Sequence, residues 1–113
     1  MGKAQRDKGK RGELMLRDIL RRHGWAGAER GQQRHGGPES PDVRGGPVGY
    51  HFECKFVEAL NVRSALVQAA EDAGEGEVPI VAHKRSSQAW TATLDLDQLL
   101  TLLRELEVRR MMD

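Results

Sequence analysis

The sequence is poor in cysteine and in aromatic residues: it has one cysteine, and aromatics make up 4% of its 113 positions. One cysteine excludes an intramolecular disulfide and a cysteine-based zinc cluster, so we expect a cytoplasmic protein in a reducing compartment. No apolar run approaches the roughly 20 residues of a membrane-spanning helix, and no signal-peptide pattern opens the sequence. Few aromatics also predict an aliphatic core and disfavour a surface that stacks single-stranded bases.

Charge is unevenly distributed along a chain whose total is +1. Residues 1–35 contain ten Lys or Arg and four Asp or Glu, a net charge of +6, so the remainder carries −5. A basic block suits a polyanion such as DNA, because phosphate contacts release counterions and provide affinity. A solvated charged face is the alternative interpretation of the same pattern. The length suits one domain, which we place at residues 10–110 behind a flexible basic arm at residues 1–9.

Hydrophobic periodicity predicts an α/β domain in the order helix, three strands, helix, two strands, helix. The predicted helices cover residues 10–23, 61–73 and a final segment that opens with the capping pair Asp95 and Gln98. The predicted strands cover residues 25–33, 41–44, 50–57, 78–83 and 88–94. We therefore expect a mixed β-sheet flanked by helices, with Trp90 in the core.

The clearest strand alternates between two faces from Tyr50 to Phe56. Its even-numbered residues form an apolar face, so Cys54 is expected in the core and its thiol has no catalytic role. Its odd-numbered residues form a polar face, which presents Glu53 and Lys55 together. The histidines lack the spacing of zinc ligands, and we expect ordinary packing or surface roles for them.

Asp42 begins the preceding strand and can approach Glu53 if the two strands form a hairpin. Hydrolysis of a phosphodiester needs a cation to polarise the phosphate and activate water, and magnesium accepts two carboxylates with a backbone carbonyl. We therefore predict Asp42, Glu53 and the Cys54 carbonyl as ligands of Mg²⁺, with Mn²⁺ able to substitute. Lys55 could hydrogen-bond the attacking water or the scissile phosphate.

The pair Pro41-Asp42 followed by Glu53-Cys54-Lys55 resembles the signature of the PD-(D/E)xK nucleases, which have an α-β-β-β-α-β order. The run Lys-Gly-Lys-Arg-Gly-Glu at residues 8–13 is similar to the opening of archaeal-type Holliday junction resolvases and their small phage relatives. The resemblance covers most of the chain, from about residue 8 to the strand of Trp90. It implies a restriction-endonuclease-like core and a magnesium-dependent endodeoxyribonuclease for DNA recombination and repair. For a phage-encoded member, the compartment would be the host cell cytoplasm.

The resolvase resemblance further implies a homodimer that places paired, symmetric nicks in branched double-stranded DNA. The leucines of the final helix could supply the dimer interface or could complete the core of the monomer. Both possibilities stay open at the level of sequence.

The resemblance assigns Glu13 to the catalytic site together with Asp42, Glu53 and Lys55. Glu13 would join the metal directly or through water, which explains an acid on the same helix face as Leu16. The alternative is that Glu13 only caps the helix or pairs with an arginine.

Other predicted site residues are less specific. Gln68 lies on the second helix, where many nucleases of this superfamily carry a supporting Gln or Lys; an exposed amide is the alternative. The chain departs from the resolvases in the loop before Asp42, where they carry a functional serine and residues 31–35 read Gly-Gln-Gln-Arg-His. DNA contacts are expected from five basic residues: Lys8, Lys10, Arg11, Arg30 and Arg34.

Two other functions fit parts of the pattern. A flap or fork nuclease of the VRR-NUC kind shares the acid-and-lysine core. A non-enzymatic DNA-binding module would use the basic block alone, with Asp42 and Glu53 as surface charges.

Overall fold

The computed structural model describes residues 2–31 and 42–113. The elements follow the predicted order: α1 (Lys3–Arg22), β1 (Glu29–Arg30), β2 (Val43–Arg44), β3 (Tyr50–Phe56), α2 (Val62–Asp72), β4 (Val78–Lys84), β5 (Thr91–Thr93) and α3 (Leu96–Met112). This order confirms the α/β class. Within the described ranges no helix is long and apolar enough to cross a membrane. The predictions that concern Arg34, the loop serine and Pro41 fall outside the described residues.

The five strands form one mixed sheet in the order β1-β2-β3-β4-β5. β1, β2 and β3 are antiparallel neighbours, and Val43 of β2 lies opposite Phe52 of β3. β3 and β4 run parallel, while β5 returns antiparallel to β4. Parallel neighbours need a crossover connection, which α2 supplies. The predicted mixed sheet with flanking helices is confirmed.

α1 starts earlier than the sequence predicted. It begins at Lys3, so residues 3–9 are helical where a flexible arm was expected, and that prediction is corrected. These residues carry no apolar stripe and are mostly exposed, so periodicity could not find them. Tertiary packing of the later part of α1 offsets the unfavourable nucleation of the helix. Extension towards Lys3 then adds one backbone hydrogen bond for each residue that becomes helical.

The core has one cluster on each side of the sheet. The cluster on the α1 side has six buried residues, with Phe52 and Trp90 packed against them: Leu16, Leu20, Ala28, Val43, Cys54 and Ala82. The cluster on the α2 side consists of Ala65, Ala69 and Val81. The predictions that Cys54 and Trp90 belong to the core, and that the core is aliphatic, are confirmed.

Both predicted helix caps are present. The side chain of Asn61 accepts a hydrogen bond from the Ser64 N–H, and that of Asp95 accepts one from the Gln98 N–H. α3 nevertheless buries none of its residues. Most of its leucines therefore stay outside the core of the monomer, although Leu99 and Leu102 are partly buried. A dimer interface on α3 stays a prediction.

α1 lies unusually close to β3 at Gly12. A Cβ atom at that position would lie 2.7 Å from the Phe56 Cβ and 3.5 Å from the Cys54 Sγ. By contrast, a Cβ at Gly9, one turn earlier in α1, would meet nothing within 4 Å. Glycine at position 12 thus allows the contact between α1 and the strand that carries the site.

We expect Gly12→Ala to lower the free energy of unfolding by about 1–3 kcal/mol, because the added methyl group overpacks against Phe56. Gly9→Ala is the matched control, and it should leave stability unchanged or raise it by up to about 1 kcal/mol through helix propensity. Urea unfolding followed by circular dichroism measures both. A Gly12→Ala protein as stable as the Gly9→Ala protein would contradict the close approach.

Candidate active site

The alternation of β3 places Glu53 and Cys54 on opposite faces of the sheet. In the parallel register Glu53 pairs with Val81, which packs under α2, and Cys54 pairs with Ala82, which packs under α1. The face predicted to be polar is covered: Glu53 is 5% exposed and His51 is 1% exposed. Glu53 is therefore a buried acid rather than one member of a wet, charged strand face.

Asp42 is fixed to β3 by two hydrogen bonds. Its N–H donates to the Phe52 carbonyl at 3.3 Å, and its Oδ2 accepts the Cys54 N–H at 2.7 Å. The N–H and C=O of one residue in an extended strand point to the same side, so the Cys54 carbonyl also faces the β2 side of β3, towards Asp42. The antiparallel pairing of β2 with β3 is the hairpin geometry that the sequence predicted.

The surroundings of the Asp42 carboxyl disfavour its charged form. Burial raises its pKa from 3.8 to about 6, and the negative charges of Glu53 and Glu13 add to the rise. The Cys54 N–H and the Lys55 ammonium act in the opposite direction. Three acids thus influence one another here, although the first and the last are 40 positions apart in the sequence. Burial also raises the pKa of the Cys54 thiol, as expected of a thiol without catalytic function.

Lys55 lies at the open side of the buried acid. Its Nζ is 4.0 Å from the Glu53 Oε1, and its side chain is 28% exposed compared with 7% for Glu53. The prediction that the two share one strand face is confirmed. The ammonium can therefore reach a solvent-borne group while it stays next to the carboxylate.

Glu13 is paired with Arg30, the alternative raised by the sequence. The Arg30 Nε donates to the Glu13 Oε1 at 2.6 Å, and the Glu13 side chain is 13% exposed. Because α1 packs on the sheet face opposite Glu53, Glu13 approaches Asp42 from the other side. Its place in a metal site stays a prediction, as does a DNA contact from Arg30.

The donor set that fits a cation is small. In residues 2–31 and 42–113, no three side chains of His, Cys, Asp or Glu form a group that could hold a metal ion. Two carboxylates, Asp42 and Glu53, remain, together with the Cys54 carbonyl. These hard oxygen donors suit Mg²⁺, which keeps several waters when proteins bind it. A cation would offset the burial and the nearby negative charges that raise the pKa of Asp42.

His51 is the residue that sequence analysis underestimated. Its Nε2 is 3.6 Å from the Glu53 Oε2 and its Nδ1 is 3.9 Å from the Glu77 Oε1. Neither ring nitrogen has a hydrogen-bond partner in the described part of the chain. The Glu53 carboxylate raises the pKa of His51 above its ordinary value. In the sequence, the only sign that His51 lies next to Glu53 was its position two residues earlier on the same strand face.

Lys8 has a structural partner. Its ammonium contacts the Glu58 carboxylate and lies 4.6 Å from the centre of the Phe56 ring. Glu58 also accepts hydrogen bonds from the N–H and Oγ of Ser86, and these contacts lower the pKa of Glu58 to about 2. The cluster joins α1 to the ends of β3 and β4. A DNA contact from Lys8 stays a prediction.

The remaining predicted residues lie on helix surfaces. Gln68 is on the exposed side of α2, and no hydrogen bond links it to the acids in the part of the chain that the structure describes. Lys10 and Arg11 are both exposed on α1. At 100° per residue, Lys10 lies about 60° from Glu13 around the helix, whereas Arg11 lies on nearly the opposite side.

Comparisons of the chain with models of protein families, with curated proteins and with solved structures gave no match. The chemistry of the site therefore has to be argued from the chain's own residues.

We expect Asp42→Asn to stabilise the protein at pH 8 without divalent cations, by up to about 2 kcal/mol. Since folding raises the pKa of Asp42, its contribution to stability is present below pH 3.8 and is lost as the pH rises through about 6. Asparagine avoids that loss and still offers an oxygen to the Cys54 N–H. The gain should shrink towards pH 4.

Urea unfolding between pH 4 and 8 measures this dependence. The exposed Asp7→Asn is the control, and it should show no such rise with pH. An Asp42→Asn protein less stable than the parent at pH 8 would show that the carboxylate is not strained.

Proposed function

We propose that this chain is a magnesium-dependent endodeoxyribonuclease with a restriction-endonuclease-like core that resolves four-way DNA junctions. The observation that carries the proposal is the hydrogen bond that holds Asp42 to β3, next to the buried Glu53 and the partly exposed Lys55. A carboxyl such as that of Asp42, whose pKa is raised by burial beside other acids, is typical of a functional centre. The resemblance in residues 8–13 and 41–55 supports the choice of junction resolution.

Asp42, Glu53 and the Cys54 carbonyl would hold the cation. When bound, magnesium supplies a Lewis acid for the phosphate oxygen and makes water a better nucleophile at neutral pH. The hydrogen bond from the Cys54 N–H holds the Asp42 carboxylate in place, which limits the motion of one donor. His51 lies behind Glu53 and packs the second donor from its buried side.

Lys55 would act on the phosphate side of the site. Its ammonium is exposed enough to donate to a phosphate oxygen or to the attacking water, where negative charge develops during hydrolysis. The Glu53 carboxylate, 4.0 Å away, keeps the ammonium directed to the site. Arg30 neutralises Glu13, which keeps a third negative charge from opposing an approaching phosphate.

One side of α1 provides a basic surface next to the acids. Lys3, Lys10 and Arg17 are spaced by seven residues, so they lie along the same side of the helix, and Glu13 lies between the last two of them. α1 as a whole contains eight Lys or Arg and three Asp or Glu. Such a row suits contacts to phosphates, which position a duplex without reading its bases.

The alternatives make different use of these residues. A non-enzymatic DNA-binding module treats Glu53 as a surface charge, yet this side chain is buried, and an acid that faces the interior adds nothing to DNA affinity. A flap or fork nuclease would use the same acids and lysine. Only the choice of substrate separates that function from junction resolution, which in addition needs two active sites for paired nicks and therefore a homodimer.

With Mg²⁺, the purified protein should place paired nicks in a synthetic four-way junction, and Mn²⁺ should replace Mg²⁺. Asp42→Asn and Lys55→Met should each lower the cleavage rate at least about 100-fold, because each removes a group that stabilises the transition state. Binding of the junction should change little. Glu71→Gln, an exposed acid on α2, is the control and should cut normally.

The same assay should include a flap, a fork and a linear duplex, each with and without chelator. A preference for the flap would reject junction resolution and keep the nuclease. Cutting that persists in the chelator, or in Asp42→Asn, would reject the assigned site.

A second prediction concerns the basic side of α1. Lys10→Gln should weaken junction binding and reduce the slope of log affinity against log salt by about 1, because one phosphate contact is lost. Arg11→Gln removes the same charge from the other side of α1 and should have a smaller effect. Fluorescence anisotropy with a labelled junction measures both. Equal effects would indicate that only net charge matters.

A further inference from the structure

α3 presents an apolar stripe that the monomer leaves uncovered. Four leucines form it, and their exposed fractions are 65%, 51%, 50% and 43% for Leu96, Leu100, Leu103 and Leu106 respectively. They lie within an arc of about 120° on a helix with 3.6 residues per turn. Monomeric soluble proteins rarely expose so many adjoining large apolar side chains.

Three leucines of this stripe and the partly buried Leu99 have the spacing of a helix pair. Leu96, Leu99, Leu103 and Leu106 are separated by three, four and three residues, the pattern of positions a and d of a coiled coil, with Leu100 on the flank. We propose that two copies of this chain associate through α3, with the two helices antiparallel and centred near Thr101. Leu96 then packs against Leu106 of the partner subunit, and Leu99 against Leu103 of the partner subunit.

Charge on the flank favours the antiparallel direction. Asp95 precedes the stripe and Arg109 follows it, and both occupy the same flanking position of the heptad, 14 residues apart. Antiparallel helices bring such equivalent flanks together, so Asp95 lies near Arg109 of the partner subunit. In a parallel pair, Asp95 would instead face Leu100 of the partner subunit.

The charges of this segment argue against DNA or an anionic membrane as the occupant. Residues 95–113 contain five Asp or Glu and three Arg, a net charge of −2. Helices that lie on anionic lipid, and surfaces that bind phosphates, carry an excess of basic residues. A second copy offers the same stripe and the matching charge, so it is the occupant that the segment fits.

Sedimentation equilibrium of the full chain should give a mass of about twice the 12.6 kDa of one copy at micromolar concentrations. Leu103→Glu should raise the dissociation constant at least about 100-fold, because each dimer would bury two unpaired carboxylates near its centre. Val108→Glu is the matched control: Val108 is 40% exposed and lies outside the stripe, so the dimer should persist. Circular dichroism verifies that both variants are folded.

Cysteine crosslinking tests the direction, since Cys54 is buried. Oxidation of a mixture of Leu96→Cys and Leu106→Cys proteins should give the crosslinked heterodimer in preference to either homodimer. A monomeric parent protein, a dimer that survives Leu103→Glu, or homodimers as the main crosslinked product would each overturn the proposal. The inference deepens the proposed function, since paired nicks need a homodimer. These measurements use no DNA, so a failure of the α3 interface is distinguishable from a failure of cleavage.

Discussion

The hydrogen bond from the Cys54 N–H to the Asp42 carboxylate is the contact on which the site depends. β2 begins at Val43, so at Cys54 a side-chain oxygen takes the place that a backbone carbonyl of the neighbouring strand would otherwise occupy. The same contact holds the Asp42 carboxylate beside Glu53, which comes one residue before Cys54 on β3. A backbone donor thus determines where the acid lies, and the short distance of 2.7 Å leaves it little freedom.

Burial on both faces of β3 turns this geometry into an energetic problem. Cys54 lies in the core on the α1 side of β3, where burial of its weakly polar side chain is favourable. Glu53 and His51 fill the opposite face, where ionisable groups lose water and gain few direct hydrogen bonds. Replacement of such groups by apolar residues would generally stabilise a fold. The proposed catalytic role would account for their presence, and the raised pKa of Asp42 reflects the energetic cost of burying an acid here.

The parts of this structure that depend on local sequence could be predicted. Apolar periodicity gave the order of the elements, and the caps at Asn61 and Asp95 gave the starts of α2 and α3 because a side chain three residues from its donor is a local contact. Alternation placed Glu53 and Lys55 on one face. The choice of Asp42, Glu53 and Lys55 as site residues rested also on the resemblance to the PD-(D/E)xK signature, and it stays a prediction.

The parts that depend on contacts between residues far apart in the sequence could not be predicted. The pairing of Glu13 with Arg30 joins residues 17 apart on different elements, and the sequence offered several arginines for that role. The covered face of β3 follows from where α2 lies over β4, which the strand's own pattern does not contain. The start of α1 escaped prediction because exposed helical turns need no apolar stripe.

The two outer helices divide the charge of the chain between them. α1 holds most of the positive excess next to the acids of the site, whereas residues 95–113 have a net charge of −2 and an apolar stripe. If α3 were basic, its two copies would repel each other and would compete with α1 for phosphates. The two proposals assign these charges separate tasks: the basic side of α1 would contact a polyanion, and α3 would contact a second copy of the chain. Together they would give the uneven charge of the sequence a structural meaning.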